Sequence, residues 1–427
     1  MKTVLAYPGN MAHAQHAARA MMNIDSLAAF VTTYVFRADG RMAALLANAP
    51  SSAAKRVLRQ LARRSIDQLP PQMIHSYPMW EIVRSAAQRG GANPAVVDAI
   101  WDRLSHSFDA LVARRYVPKV QAVQSFEYTA LATFERSKRE GIATALHLPS
   151  LDSAHYREIE RREKREWKEL NSPYDAYFDS KFAERQERRL REIGLADVIV
   201  TNSSLTARSH IAAGADPAKT FSVGLAAPPP ISEIRVDPDR RYGPLRVLSA
   251  GPFSLRKGAH YLVRAWQRLR AGPAAVLDIY GRPDVPERVF AGVDGSIRFH
   301  GSVPQSTLFE AYENADILVF PTLCDGFGMV VAEAMAHGLP VITTDQAGAA
   351  DLVTPDNGIV IPAADSDALA DALRWCLDNR DKLQDMRPHA LQAAKRRQWS
   401  DYRRDLVAAL DTGFRAKGYR LKFGRPN

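Results

Sequence analysis

The chain has 427 residues, 46% of them hydrophobic and 24% charged, with a formal net charge of +10 at neutral pH. That is too long for one compact core and too apolar for a disordered chain, so two globular domains are expected. Two cysteines exclude a disulfide framework and a four-thiolate zinc site, and no apolar run approaches the roughly 18–20 residues that span a bilayer.

From the start, TVLAY (3–7) reads as a strand, HAQHAARAMM (13–22) as a helix and AAFVTTYVF (28–36) as a second strand, which begins a doubly wound sheet. The apolar part of MKTVLAYPGN is too short for a secretory h-region, so a cytoplasmic protein is expected. Residues 40–115 read as a mostly helical insertion, in which NPAVVDAIWDRLSHSFDALV (93–112) is a capped amphipathic helix. Within it, AAKRVLRQLARRSIDQL (53–69) gathers Val57, Leu58, Leu61 and Leu69 near one face among Lys55, Arg56, Arg59, Arg63 and Arg64. We read it as a helix packed on its own domain. Peripheral contact with the anionic cytoplasmic face of a membrane is the alternative, which the net charge also suits. The charge has no zinc-finger spacing or aromatic RNA-binding signature beside it, so nucleic acid is not an expected partner.

VPKVQAVQS (117–125), GIATALHLPS (141–150) and LADVIVTNSS (195–204) read as parallel strands ending in polar turns, and TFSVGLAAPPP (220–230) runs a strand into a proline cluster. The highly charged segment 156–192 reads as a pair of solvated helices over this first domain, which spans 1–228. Residues 229–244 are Pro-rich and aperiodic, as a linker would be. A second series follows over 245–398: strands at 245–251, 274–281, 296–301, 315–321, 340–344 and 358–362, with helices at 259–269, from Met329, and at 367–377. Residues 399–427 form a helical tail.

One stretch of this second domain carries chemistry. PTLCDGFGMVVAEAMAHGLPVI (321–342) places TLCDGFG between a strand and a helix, at the carboxyl edge where open α/β sheets bind ligands. Gly326 and Gly328 permit close backbone approach, and the first N–H groups of the helix attract anions. Glu333 lies about one turn into the helix and points back toward the same edge. Asp325 and Glu333 suit sugar hydroxyls, because each carboxylate oxygen accepts more than one O–H bond. The plainer alternative makes Asp325 a helix cap and Glu333 a paired buried acid. Cys324 reads as a small buried filler. His13 and His16 have no carboxylate or third ligand beside them, so no metal is expected.

The pattern P-T-x-x-D-G-F-G-x-x-x-x-E-A-M-A-x-G-x-P-V-I resembles the donor-site motif of the family-four retaining glycosyltransferases, and LSAGPFSLRKGAHYLVRAW (248–266) is similar to that family's other signature. The resemblance implies an α/β protein of the GT-B fold, with two Rossmann-like domains facing each other across a cleft. The first would bind the acceptor and the second the donor, with the tail returning to the first. It implies a retaining glycosyltransferase that moves a sugar from a nucleotide-sugar donor to a glycan, lipid-linked or other small acceptor, in polysaccharide or glycoconjugate biosynthesis, with no cofactor or metal. By the same resemblance Glu333 holds the ribose hydroxyls, and Asp325 binds the donor sugar beside the backbone of Gly326, Phe327, Gly328 and Met329. Lys257 faces the diphosphate with Arg256 as a second cation, Gly301 to Val303 lie near the base, and His147 faces the acceptor near the reacting sugar. Gly9 and Asn10 form the acceptor or diphosphate loop. The chain departs from the family in three places: Asp325 stands where glutamate is usual, Pro252 where arginine is frequent, and Gly9-Asn10 where a glycine-rich loop is common. On these departures rests the alternative of a non-catalytic sugar-nucleotide-binding subunit. A phosphorylase of similar fold is a further alternative, but it lacks a recognisable cofactor lysine.

Overall fold

The computed structural model describes residues 1–36, 65–66, 68–234, 242–293 and 295–420. The basic segment 53–69 falls largely outside these residues, although Ile66 and Leu69 are buried in the N-terminal core.

The N-terminal sheet has seven parallel strands in the order β3-β2-β1-β4-β5-β6-β7. They are β1 (Thr3–Ala6), β2 (Leu27–Thr32), β3 (Ile74–Ser76), β4 (Ala122–Phe126), β5 (Ala143–Leu148), β6 (Val198–Thr201) and β7 (Thr220–Ser222). The central strands are buried throughout, which is why they read as continuous apolar runs and not as alternating ones. The helices of this domain are α1 (Ala12–Asn23), α2 (Met79–Arg89), α3 (Pro94–Arg115), α4 (Leu131–Glu140), α5 (Ser153–Glu166), α6 (Asp175–Leu195) and α7 (Ser204–Ala212). Asn93 caps α3, its side chain accepting from the Ala95 N–H at 2.8 Å, with Pro94 at the first position where a missing N–H costs nothing.

The C-terminal sheet has six parallel strands in the order β10-β9-β8-β11-β12-β13: β8 (Leu245–Ala250), β9 (Ala275–Tyr280), β10 (Ile297–Phe299), β11 (Ile317–Phe320), β12 (Val341–Thr344) and β13 (Gly358–Ile361). Its helices are α8 (Ala259–Leu269), α9 (Gln305–Asn314), α10 (Met329–Ala336), α11 (Ser366–Asp378) and α12 (Arg380–Arg396). The last helix, α13 (Trp399–Ala416), lies on the N-terminal domain. There Tyr402, Leu406, Leu410 and Phe414 join Ala14, Ala17 and Met21 of α1 in one core, and Trp399 stacks on His16 with ring centroids 4.1 Å apart. The chain leaves the first sheet at the buried Ala226 and Ala227, and the Ile231 N–H already donates to the Ala336 carbonyl of the second domain at 3.0 Å.

Three expectations are corrected. The segment read as a helical insertion also supplies β3, which pairs with β2 through Phe30, Val31 and Thr32. The stretch 117–125 is not one strand, because Val117–Lys119 is a 3₁₀ turn built on Pro118 and the strand starts only at Ala122. The charged segment 156–192 does form a pair of helices, and α6 lies over the first domain, where Arg185 pairs with Asp102 and Arg188 with Asp109, but α5 is not simply solvated there. Glu163 of α5 is wholly buried, and its Oε2 accepts from Tyr261 Oη at 2.8 Å and lies 3.2 Å from His260 Nε2, both on α8. Trp167 packs edge-on against both rings, and Leu170 enters the C-terminal core. The end of α5 and the turn that follows it are a bridge between the domains.

Candidate active site

In each sheet the strand order reverses at one place: between β1 and β4 in the first, and between β8 and β11 in the second. Loops leaving neighbouring strands at such a point diverge to opposite faces and open a crevice. In the second sheet, the loop after β8 carries Arg256 and Lys257 and the loop after β11 carries Asp325 to Gly328. The two loops are tied together. Leu323 N–H donates to the Arg256 carbonyl at 2.9 Å, Thr322 Oγ1 donates to the same oxygen at 3.0 Å, and Arg256 Nη1 donates to the Cys324 carbonyl at 3.3 Å.

This tie brings Lys257 Nζ onto Asp325 Oδ2 in a direct ion pair, with Arg256 Nη1 3.7 Å from the same oxygen. Lys257 also lies 4.6 Å above the ring of Phe320, whose π face favours a cation. Burial pulls the lysine down and Asp325 pushes it back up, leaving it below the ordinary lysine value. For Asp325, burial acts to raise the pKa. Lys257, then Arg256, and the hydrogen bonds from Lys257 and the Phe327 N–H outweigh it and hold the carboxyl below its usual range. A charged pair is therefore maintained where one side chain is fixed by two loops.

After Asp325 the chain makes a tight turn into α10. Gly328 is the residue before the helix and has φ of 88°, a left-handed conformation that side chains disfavour. Phe327 is buried, Met329 half-buried, and the first N–H groups of α10 face the turn. Glu333 follows one turn later. It is half-buried and accepts from Tyr312 Oη of α9 at 3.3 Å; burial raises its pKa and the tyrosine bond opposes this. Its contact is thus with α9 and not with the Lys257–Asp325 pair. Gly301 and Val303 are half-buried just beyond β10, two strand spacings or about 9–10 Å from β8.

The N-terminal residues are arranged differently from their expected roles. His147 lies at the end of β5 but is enclosed. It stacks on Phe126 at 4.7 Å, its Nε2 is 3.0 Å from Gln124 Oε1, and it borders a hollow of about 10 Å³, roughly one water. Burial drives its pKa to about 3, so the imidazole is neutral and is not presented to an open cleft. Gly9 accepts at its carbonyl from Thr32 Oγ1 at 2.9 Å, and Asn10 accepts from Gln15 Nε2 at 2.6 Å, so this loop is fastened to its own domain. His13 packs on Phe126 and His16 on Trp399, so the two rings serve different contacts. Cys324 is buried, its thiol pushed up to about 12, as a filler would be.

The same loop meets the first domain through residues that had no distinctive signal. The Gly326 carbonyl accepts from Ser203 Oγ at 2.5 Å, with Thr206 Oγ1 at 3.1 Å. Ser203 in TNSS looks like any helix cap, and only the folded chain shows it reaching across the cleft.

Residues 244–379 match the family described as Glycosyl transferases group 1. The second domain is a group 1 glycosyltransferase domain. The chain shares 29% identity over 168 residues with a glycosyltransferase of Methanocaldococcus jannaschii, covering 38% of this chain and 42% of that protein. A lipopolysaccharide core biosynthesis mannosyltransferase of Rhizobium meliloti is 34% identical over 122 residues, covering 28% of this chain and 34% of its own. The chain therefore matches less than half the length of these curated relatives. Likeness of fold extends further: Anabaena HepE in complex with UDP-glucose superposes with a TM-score of 0.59 over 96% of this chain and 99% of its own, at 16% identity. The two-domain GT-B fold thus holds across both lobes of this chain. Among the described residues no helix is long and apolar enough to cross a membrane.

Proposed function

We propose that this chain transfers a sugar from a nucleotide-sugar donor to a hydroxyl of a glycan, lipid-linked or other small acceptor, with retention of anomeric configuration. The observation that carries this reading is the Lys257–Asp325 pair, built from the two loops that flank the strand-order reversal and set beside the N-terminus of α10. Breaking the bond from the anomeric carbon to the phosphate oxygen leaves its electron pair on the diphosphate. Lys257, Arg256 and the helix N–H groups supply a fixed positive field for that charge. Asp325 accepts from donor-sugar hydroxyls and Glu333 from the ribose. With His147 neutral and enclosed, the acceptor proton passes to the departing diphosphate.

UDP-glucose is the first donor to try, since HepE binds it and shares the fold. Retention, a cytoplasmic location and peripheral contact with an anionic membrane belong to the same reading. The test is nucleoside diphosphate release over a panel of nucleotide sugars, with Lys257→Ala and Glu333→Ala as controls. Release lost in both variants supports transfer. Nucleotide binding with no turnover of any donor would instead favour a binding subunit.

A further inference from the structure

The Gly326 carbonyl takes hydrogen bonds from the N-terminal domain, beside the apolar contact of Leu323 and Cys324 with Leu151 and Ile159. The junction has no spare room. A Cβ on Gly326 would overlap the Pro149 carbonyl oxygen and crowd Asn202, and a Cβ on Gly348 would overlap the Gly326 carbonyl oxygen and Ser203. Around it, Asn202 Nδ2 donates to the Pro149 carbonyl at 2.7 Å, and Ser204 Oγ donates to Asp351 Oδ2 across the boundary at 2.7 Å.

The hydroxyl protons can be counted. Ser203 caps α7, and for that its Oγ need only accept, here from the Thr206 N–H at 3.1 Å. Its single proton has two acceptors within reach, Thr206 Oγ1 at 3.1 Å and the Gly326 carbonyl at 2.5 Å, and goes to the nearer one. Thr206 has one proton between Asn202 Oδ1 at 2.9 Å and Gly326 O at 3.1 Å. An ordinary cap would leave the Ser203 proton to water. Here Ser203 is buried and the proton bridges two domains.

We propose that Ser203 is a positioning residue: its hydroxyl holds the Gly326 carbonyl across the cleft and so fixes the loop carrying Asp325 and the start of α10 when the domains are docked. The proposal rests on the glycosyl-transfer reading above. Donor geometry is then set by both domains together, and a donor bound to the second domain alone is held in a looser loop. Ser203→Gly isolates the effect, because glycine caps a helix almost as well as serine but has no proton to give. Thr206→Val removes the second hydroxyl, and Gly326→Ala wedges the junction at Pro149.

The experiment pairs steady-state kinetics with small-angle X-ray scattering at saturating UDP. Ser203→Gly should lower kcat about threefold to tenfold, the worth of one hydrogen bond, with donor KM changed less than twofold. It should also raise donor hydrolysis relative to transfer, and Gly326→Ala should increase the radius of gyration. Wild-type kcat and wild-type hydrolysis in Ser203→Gly would overturn the positioning role while leaving glycosyl transfer intact. If the wild type turns over no donor, the activity reading fails, and scattering decides the contact alone: a radius of gyration that neither Ser203→Gly nor Gly326→Ala alters overturns it.

Discussion

Replacing Glu163 with alanine should undock the two domains. Its carboxylate is wholly buried and takes two bonds across the boundary, from Tyr261 Oη at 2.8 Å and His260 Nε2 at 3.2 Å, as well as two on its own helix, from Arg162 Nε at 3.2 Å and Nη2 at 3.0 Å. A hydrogen bond to a charged group contributes about 1.5–3 kcal/mol, and truncating one member of a buried charged set costs about 3–5 kcal/mol. A loss of about 3–5 kcal/mol of docking free energy follows, with Trp167 losing its edge-on contacts to His260 and Tyr261. Urea unfolding of Glu163→Ala, Tyr261→Phe and the double variant measures it, and the cycle should show a coupling above about 1 kcal/mol. Acidification gives a second readout. Burial would raise the Glu163 pKa, but the bonds from His260, Tyr261 and Arg162 hold it below the ordinary value. Such a carboxyl stabilises the fold above its unfolded pKa of about 4.3 and loses that contribution as pH falls through the lower folded value. Glu163→Gln should therefore show a shallower loss of stability below about pH 4.5 than the wild type. A Glu163→Ala protein within about 1 kcal/mol of wild type, with no coupling to Tyr261, would refute the bridge.

The remaining predictions concern the site. Lys257→Ala should lower kcat by about 10²–10³, the usual cost of removing one group that stabilises developing charge, and steady-state assays at saturating donor would show it. Glu333→Gln should weaken nucleoside diphosphate binding about tenfold or more in calorimetry while leaving the melting temperature within a few degrees, since among the described residues its bond is to Tyr312. His147, with its pKa near 3, should show no titration of its ring protons by NMR between pH 5 and 8, and the pH–rate profile in that window should be the same in His147→Gln. Cys324, buried with its thiol pushed up to about 12, should resist alkylation at pH 8 until the protein is unfolded, as mass spectrometry would show.

The strands that position the site were legible because they are buried on both faces, and buried parallel strands announce themselves as apolar runs bounded by turns. α8 was read at its observed bounds, Ala259–Leu269, since its apolar face is continuous and the Gly258 before it marks the start. α12 escaped notice, because Pro388 lies inside it and proline argues against a helix. β3 escaped because Ile74–Ser76 is a three-residue edge strand in which only Ile74 is half-buried and His75 and Ser76 are exposed. In the site, Asp325 and Lys257 were marked by their motif, and the fold shows them paired. The enclosure of His147 could not be read, since it depends on Phe126 and Gln124 of another strand. Nor could the bridging role of α5. Arg and Glu are as frequent in a solvated helix as here, and only Glu163 and Trp167 meeting α8 separate the two cases.

The first lobe is stitched from segments far apart in the sequence, because α13 completes the layer that α1 begins. During synthesis this lobe therefore emerges unfinished: Ala14, Ala17 and Met21 wait for Leu406 and Phe414, almost four hundred residues later, to be shielded from water. A nonsense codon near residue 398 would spare every donor-side group and still spoil the opposite lobe, leaving a sticky apolar stripe as its signature.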